Sequence, residues 1–327
     1  MLAWPRKQTT PTCMNKEKKR ELKEEGENWK LRVQRGQLLV DTFAAERVWW
    51  QEALEQKEAG LACLLGDILL VSTMVSYLPS LPHTARETSL ASFEATLEAG
   101  EIQFSSPEAR FSLFLSEIQM KAWHQNGLPD SGFYSTNGLI LTISPRWPLL
   151  IDPEQQAVAW LRCQEPGLIS VEANAPDLVP RVAACVEKGS VCLVFNVEDQ
   201  VDSLLDSVLQ KKTFSAEGKT CVKIGEDTVV YNPSFRLYLT SKRQRIAFPS
   251  RLQSYLTLVN FVPVPAGLED HLLRIVVGKE RPELRQKTEA TMKQYCEATT
   301  LLAENRTKVL ALFLQVLIIC LICMWPI

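Results

Sequence analysis

Apolar and polar residues follow two patterns along this chain, and the change between them falls near residue 137. Residues 1–58 are rich in charge, with acids and bases mixed at helical spacing, which is typical of a solvated helix. Near the end of this segment apolar side chains recur at spacings of four, seven and four, the period of one helix face. They are Leu39, Phe43, Trp50 and Leu54. We therefore predict an N-terminal helix that packs its apolar face on another element.

A second predicted helix is apolar around most of its circumference. Residues 66–81 read GDILLVSTMVSYLPSL, and prolines at positions 79 and 82 end the pattern. The run is short for a membrane span and carries hydroxyl side chains at 72, 73 and 76, so a buried helix is the better interpretation. A further helix is predicted over residues 109–126, before a turn at residues 127–130.

From residue 137 onward, short apolar runs alternate with amphipathic stretches, as in α/β proteins. Strands are predicted at residues 138–144, 147–152, 168–172, 190–197, 235–240 and 255–261. Helices are predicted at residues 154–164, 177–188 (ended by Gly189), 202–210, 268–277 and 282–305. Residues 214–232 are predicted to form a surface hairpin around Gly225. This order predicts a doubly wound parallel sheet, in which ligands bind at the carboxyl ends of the strands.

Composition and charge exclude several classes of function. Hydrophobic residues make up 46% and charged residues 23%, as in ordinary soluble proteins, and a net charge of -2 gives no reason to expect nucleic acid as a partner. The nine cysteines are scattered, the three histidines lie far apart, and no apolar secretory segment opens the sequence. We therefore predict a cytosolic protein with reduced cysteines and no metal site.

The segment after the strand at 147–151 stands where a phosphate-binding loop belongs. Such a loop needs glycines, a lysine, and a serine or threonine for magnesium. This segment has neither glycine nor lysine, since it consists of Asp152, Pro153, Glu154, Gln155 and Gln156. Pro153 lacks an N–H, and the two acids repel phosphate. We predict that this backbone offers no amide cradle and binds no nucleotide cofactor.

One short string imitates a phosphate-binding loop elsewhere in the chain. Residues 218–220 read GKT, but Thr213 stands where that motif requires its first glycine. The string also falls inside the predicted hairpin, so we interpret it as a coincidence.

The positions that normally hold magnesium and polarise water are also altered. The strand that ends near Phe195 is followed by Asn196 and Val197 in place of an acidic pair, and Glu198 and Asp199 come too late. Thr240 and Ser241 occupy the place of a polar sensor at the end of the next core strand. Either side chain could bond a phosphate, but capping of the strand end is the simpler interpretation. No catalytic residue is predicted. The alternative is an unorthodox ATPase that uses Thr240, Ser241 and Glu198.

Two arginines have the chemistry to complete a neighbour's catalytic site. Arg146 and Arg236 could act as arginine fingers, but ordinary salt bridges are the simpler interpretation. Trp147 and Trp160 are predicted to be core residues.

Several motifs in one order resemble the dynein heavy chain family. They are GDILLVSTMVSYL at 66–78, WHQNGLPD at 123–130, RWPLLIDPEQQAVAWL at 146–161, YNPSFRLYLTSK at 231–242, LVNF at 258–261 and GLEDHLLRIVVGKERPEL at 267–284. The resemblance covers about residues 38–300 and is closest to the fifth AAA+ module of the motor. It implies an AAA+-type αβα sandwich with an N-terminal helical or coiled-coil extension and C-terminal helices.

The resemblance also implies a division of the chain. Residues 1–58 resemble the end of the stalk coiled coil, residues 59–136 a helical lead-in, and residues 137–266 a degenerate AAA+ core. Residues 267–305 resemble a helical lid and the start of the next module. A single module cannot act as a motor, so we expect a short form or fragment.

In function, the resemblance implies a structural, non-enzymatic module that supports microtubule-based movement. The expected partners are neighbouring AAA+ modules or other dynein subunits, with microtubules reached only through a complete motor. The expected location is the cytoplasm, the cytoskeleton, or the axoneme of a cilium or flagellum.

The tail departs from that family. Residues 309–327 are apolar except for Gln315, which is near the minimum length for a membrane span. Two interpretations stay open. One is a membrane tail anchor, with Lys308 at the cytosolic interface and Trp325 at the other. The other is an alternative terminus without a selected role.

Overall fold

The computed structural model describes residues 11–198, 201–216, 218–244 and 249–324. The chain divides into two compact units, residues 1–63 and residues 64–327, which are treated separately. Two predictions concern residues outside the described part of the chain: the late acid Asp199 and the interfacial Trp325.

The first unit contains helix α1, Pro11–Thr42, and the beginning of helix α2, Ala44–Ser76. The helices agree with the charged, helix-forming sequence. Along the predicted apolar face, Phe43 and Trp50 are partly buried, whereas Leu54 is 57% exposed. The side chain of Leu39 lies outside the described part. The helical prediction is therefore confirmed, although the helix is interrupted at Phe43, between α1 and α2, and the packing of its apolar face stays a prediction.

The second unit begins with the rest of α2 and a group of shorter helices. They are α3 (His83–Ala99), α4 (Pro107–Ser112), α5 (Glu117–Gln125) and α6 (Gly132–Ile143). The part of α2 in this unit buries Leu70 and Met74, but the opposite face carries exposed apolar side chains such as Ile68. The helix predicted at 66–81 is thus buried on one face only, and it ends at Ser76.

The predicted helix at 109–126 is interrupted. Helix α4 ends at Ser112, and α5 starts after Ser116, which forms a capping box with Gln119. The Ser116 hydroxyl accepts a hydrogen bond from the Gln119 amide at 3.2 Å, and the Gln119 side chain accepts one from the Ser116 amide at 3.2 Å. Such reciprocal bonds start a new helix.

The apolar run at 138–144 is helical, not a strand. It belongs to α6, in which residues 133–140 are all buried. The glycine at position 138 permits close packing, because a Cβ atom there would lie 2.6 Å from Cζ3 of Trp123. A continuous apolar run suits either a buried strand or a buried helix, so the hydrophobic pattern alone could not distinguish them.

The core of the second unit is a parallel sheet of five strands, and the unit also contains a smaller antiparallel sheet. The strands are β1 (Trp147–Ile151), β2 (Ile169–Glu172), β3 (Val191–Phe195), β4 (Thr213–Ala216), β5 (Lys219–Ile224), β6 (Asp227–Val230), β7 (Arg236–Ser241) and β8 (Leu256–Asn260). The antiparallel sheet has three strands, β4 to β6, which come between β3 and β7 in the sequence. The parallel sheet has the order β2-β3-β7-β1-β8. The predicted doubly wound α/β fold is confirmed.

The remaining helices follow the same chain order. They are α7 (Gln156–Gln164), α8 (Leu178–Lys188), α9 (Asp206–Leu209), α10 (Ser250–Tyr255), α11 (Pro265–Glu280) and α12 (Pro282–Met324). Helix α8 ends as predicted at Gly189, whose φ of 73° is in the left-handed region. Helix α7 starts at Gln156, two residues later than predicted, because residues 152–155 form a turn in which the Gln155 N–H donates to the carbonyl of Asp152 at 3.4 Å.

Both faces of the parallel sheet are buried, each in its own apolar cluster. In β1, Trp147 and Leu149 belong to the cluster that contains α8, whereas Leu150 belongs to the cluster that contains α6 and α7. This alternation inside a fully buried strand is the mark of a sheet covered by helices on two sides. Trp147 and Trp160 are core residues, as predicted.

The hairpin predicted around Gly225 is confirmed as β5 and β6, and β4 adds a third antiparallel strand. The GKT string lies at the turn between β4 and β5, where Lys219 pairs with Ala216. Its backbone is therefore committed to the small sheet.

Within the described residues, one helical segment is long and apolar enough to cross a membrane, namely Glu46–Ser76. Inside it, Asp67 is buried and lies 3.6 Å from the guanidinium of Arg110, so this part of the helix is packed within the second unit. Helix α12 continues without a break to Met324. The apolar side chains of the tail beyond residue 315 lie outside the described part.

Candidate functional site

The candidate site lies where the strand order of the parallel sheet reverses. Strand β1 has β7 on one side and β8 on the other, and in such sheets ligands bind beside the carboxyl ends at this point. A cavity of about 110 Å³ is present there. It is lined by Asp152, Gln155, Val158, Arg162, Phe195, Asn196, Thr240 and Lys242. The structure thus brings together the segment in place of the phosphate-binding loop (Asp152 and Gln155), the altered magnesium position (Asn196) and the sensor position (Thr240).

The other predicted residues are nearby but do not line the cavity. Val197 donates its N–H to the carbonyl of Thr240 at 2.9 Å, and the Asp152 N–H donates to the carbonyl of Ser241 at 2.8 Å. These bonds continue the ladder beyond the strands. Pro153 is half-buried, Glu154 is exposed, and Gln156 is buried.

Asp152 is the most unusual residue of the site, because its carboxylate is 1% exposed and carries no paired cation in the described part of the chain. One carboxylate oxygen accepts a hydrogen bond from the Gln156 N–H at 3.0 Å, and the other accepts one from the Val158 N–H at 3.1 Å. Both donors belong to the first turn of α7, whose N–H groups have no partner within the helix. The negative charge also faces the positive end of the helix dipole.

This geometry corrects one expectation from the sequence. The backbone after β1 does offer an amide cradle, formed by the N–H groups at the start of α7. The cradle is filled by the side chain of Asp152, the residue that begins the same turn. The prediction that the amides are missing is therefore wrong.

Burial and hydrogen bonding act on Asp152 in opposite directions. Burial raises the pKa of this carboxyl group from its usual 3.8 to about 6, although the backbone hydrogen bonds favour the ionised form. Behind it, the Tyr134 hydroxyl donates to Oε1 of Gln156 at 3.1 Å, and burial raises the pKa of Tyr134. Tyr134 in turn contacts α11, where Gly267 leaves room for its ring.

The opposite wall of the cavity is built by the segment after β3. Asn196 has a left-handed φ of 59°, and its side-chain amide donates to Oε1 of Glu172 at 3.1 Å. The displaced acid Glu198 forms an ion pair with Arg243 at 3.4 Å and does not line the cavity. The acid that follows it, Asp199, lies outside the described residues.

The turn at the start of α7 is strained as well. Gln155 has a φ of 59°, and a glutamine in the left-handed region is unfavourable by about 1–2 kcal/mol. Two left-handed residues thus flank one cavity, Gln155 after β1 and Asn196 after β3.

A second buried charge lies at the same edge of the sheet and was missed by sequence reasoning. Arg86 is 5% exposed, and its guanidinium donates to Oδ1 of Asn137 at 2.7 Å and to the carbonyl of Pro79 at 2.8 Å. The guanidinium also lies 4.6 Å from the ring centroid of Phe133. Asn137 then donates to the carbonyl of Asn260 at 2.8 Å, at the end of β8. The sequence signal that could have revealed this network is the presence of Asn137 and Asn260 within apolar segments.

The arginines proposed as fingers have ordinary surroundings. Arg236 forms an ion pair with Glu165 at 3.0 Å, so the salt-bridge interpretation is confirmed for this residue. Arg146 is exposed. Among the residues that the structure describes, no group of three or more His, Cys, Asp and Glu side chains could hold a metal ion.

Comparisons with known proteins agree on one family. Residues 121–316 match the family of the ATP-binding dynein motor region. The chain is 31% identical to dynein axonemal heavy chain 1 of Mus musculus over 271 residues, and this alignment covers 82% of the chain. It is also 31% identical over 268 residues to the dynein-1-beta heavy chain of the flagellar inner arm I1 complex of Chlamydomonas reinhardtii, an alignment that covers 80% of this chain. To the dynein alpha chain of the flagellar outer arm of the same organism it is 30% identical over 285 residues, or 86% of this chain. The chain spans about 6% of the length of each of these relatives.

Proposed function

This chain belongs to the dynein heavy chain family, and we propose that it is a structural AAA+ module that supports microtubule-based movement without hydrolysing ATP itself. In this proposal it corresponds to the fifth module of the motor. Its partners are neighbouring AAA+ modules or other dynein subunits, in the axoneme of a cilium or flagellum or elsewhere on the cytoskeleton. Microtubules are reached only through a complete motor.

One observation carries the proposal. The two N–H groups at the start of α7, which would face a nucleotide phosphate, are bonded to the carboxylate of Asp152. A triphosphate would have to displace this buried anion or approach it closely, and both are unfavourable. No lysine stands in the segment 152–156 to compensate the phosphate charge.

The rest of the site supports the same conclusion. The cavity of about 110 Å³ is well below the roughly 300–1,000 Å³ of pockets that hold larger organic ligands. Asn196 and Val197 supply no carboxylate for magnesium. Glu198 is engaged with Arg243.

Calorimetric titration of the full chain with Mg·ATP tests the proposal. We expect no saturable heat at nucleotide concentrations up to the millimolar range. Saturable binding with a micromolar Kd would contradict the structural role. Steady-state turnover that is lost on changing Thr240 and Ser241 would favour the unorthodox ATPase instead. Turnover that does not respond to those changes would indicate a contaminating enzyme.

A membrane role is a second candidate, favoured by the helical continuation of α12 to Met324 through the apolar tail. In that case residues 309–327 anchor the module, which faces the cytosol. Alkaline carbonate extraction of cell membranes tests the anchor. Retention in the membrane fraction supports the anchor, and release of the chain into the soluble fraction rules it out.

A further inference from the structure

The start of α7 has the properties of an anion-binding site. The helix is nine residues long, and its first N–H groups point at the end of β1. Helix starts of this kind attract phosphates, because unpaired N–H groups and the helix dipole act together. In this chain the anion is covalently part of the protein, since the carboxylate of Asp152 receives the N–H groups of Gln156 and Val158.

We propose that the Asp152 carboxylate is a built-in substitute for a phosphate group, which occupies the anion seat at the start of α7 and holds the turn between β1 and α7 closed without a ligand. This inference rests on the proposed function and gives it a mechanism. The module keeps the local arrangement of a phosphate-bound turn without binding nucleotide. Asp152 is thus a positioning residue.

The geometry explains why the internal anion prevails over a dissolved one. Each carboxylate oxygen receives one N–H, at 3.0 and 3.1 Å, so both oxygens are satisfied by charge-assisted hydrogen bonds. The donors are only four and six residues further along the chain, so the contact has a high effective concentration. A free phosphate has to supply the same bonds and also lose its translational freedom.

Removal of the carboxylate would open the seat toward the cavity. Asp152 is itself a lining residue, and the adjoining cavity has space for a few water molecules and hence for a small anion. Its other walls include Arg162, Lys242 and the hydroxyl-bearing Thr240, which suit a negatively charged ligand. The inference therefore predicts that a variant without the carboxylate gains affinity for inorganic phosphate.

Thermal unfolding of the full chain measures this gain. The variant is Asp152→Ala, and the buffers contain sodium phosphate or sodium chloride at equal ionic strength. Phosphate stabilises most proteins by exclusion from their surface, so the informative quantity is the response of the variant minus that of the wild type. We expect phosphate to raise the Tm of Asp152→Ala by about 2–4 °C more than that of the wild type.

Asp177→Ala is the matched control. Asp177 also precedes a helix, α8, but it makes no side-chain capping bond and instead pairs with Arg181 at 2.6 Å. Its variant should respond to phosphate like the wild type. Asp152→Ser, whose hydroxyl can accept from one of the two amides, gives the same comparison if the alanine variant does not fold.

The outcomes separate this inference from the proposed function. Equal responses to phosphate in Asp152→Ala, Asp152→Ser, Asp177→Ala and the wild type would overturn the internal-anion role, whereas the absence of ATP binding would stand. Saturable binding of Mg·ATP to the wild type would overturn the proposed function, whatever the variants do.

Discussion

Two charges are buried at the same edge of the core sheet, and they are solvated in opposite ways. The carboxylate of Asp152, after β1, is surrounded by backbone N–H donors. The guanidinium of Arg86, near the end of β8, is surrounded by oxygen acceptors and an aromatic ring. The two sets of contacts are adjacent, because Ile151 at the end of β1 pairs with Asn260 at the end of β8.

The difference between these charges lies in how firmly each is held. Burial lowers the pKa of Arg86 only to about 10, so this group stays charged throughout the physiological range. Burial raises the pKa of Asp152 to about 6, so its charge is lost in mild acid. Arg86 also joins three segments through Pro79, Asn137 and Asn260, whereas Asp152 closes a single turn. We infer that Arg86 mainly stabilises the fold, and that Asp152 mainly fills the site.

The largest expected effect is the loss of the Arg86 contacts. Arg86→Ala leaves the buried acceptors on Asn137 and Pro79 without their donors, at about 1–3 kcal/mol each, and removes the contact with Phe133. The free energy of unfolding in urea should fall by about 4 kcal/mol. Arg86→Lys keeps the charge and should lose less. A change below about 1 kcal/mol in Arg86→Ala would show that the network adds little.

The next effect concerns the packing behind Asp152. A Cβ atom added at Gly267 would clash with the buried ring of Tyr134, because it would lie closer to the ring atoms than non-bonded carbon atoms normally approach. Gly267→Ala should therefore lower the unfolding free energy by about 3 kcal/mol, as overpacked cores do. Gly132→Ala is the control, since nothing lies within 4 Å of its added Cβ. Similar unfolding curves for the two variants would contradict the close contact.

The pH dependence of stability sharpens the comparison between the two charges. Because the folded protein binds the Asp152 proton more tightly than the unfolded chain does, protonation adds stability that is complete below the usual pKa of 3.8. This stability is lost as the pH rises through about 6. Relative to Asp152→Asn, the wild type should gain about 2 kcal/mol in unfolding free energy between pH 8 and pH 4.

The same titration should leave the Arg86 site unchanged. The difference between the wild type and Arg86→Ala should stay constant over that pH range, because alanine has no titrating group and the pKa of Arg86 lies near 10. If the unfolding free energy of the wild type relative to Asp152→Asn did not change with pH, the Asp152 carboxylate would be better solvated than its burial indicates.

The smallest effect comes from the strained turn. Gln155→Gly removes the unfavourable left-handed conformation of a glutamine, but it also makes the unfolded chain more flexible, so the net gain should be about 0.5 kcal/mol. Asn196→Gly should gain less, because asparagine tolerates this conformation. Urea unfolding of both variants gives the comparison, and a loss of stability in Gln155→Gly would contradict the strain.

The sequence predicted the sheet well because its strands are marked by both composition and punctuation. β3 is a continuous apolar run shortly after Gly189, and Pro153 stands two residues after the end of β1, so each strand could be recognised locally. Helix α6 was missed because its β-branched and apolar residues favour a strand equally well. Its helical form depends on contacts such as Gly138 with Trp123, which lie far apart in the sequence.

The site was predicted by position but not by mechanism. The sequence located Asp152, Asn196 and Thr240 at the carboxyl ends of neighbouring strands, and the cavity does join them. It could not reveal that the Asp152 carboxylate accepts hydrogen bonds from the N–H groups of the helix that follows it, because this depends on a side-chain rotamer and on where α7 starts. The Arg86 network was invisible for a similar reason, since its members are 51 and 123 residues apart.

A crystal structure of the chain grown with a millimolar non-hydrolysable Mg·ATP analogue tests the central claim most directly. The account predicts that the Asp152 carboxylate stays bonded to the N–H groups of Gln156 and Val158 and that no phosphate density appears beside them. Phosphate density on those two N–H groups, with the Asp152 side chain rotated away, would contradict it.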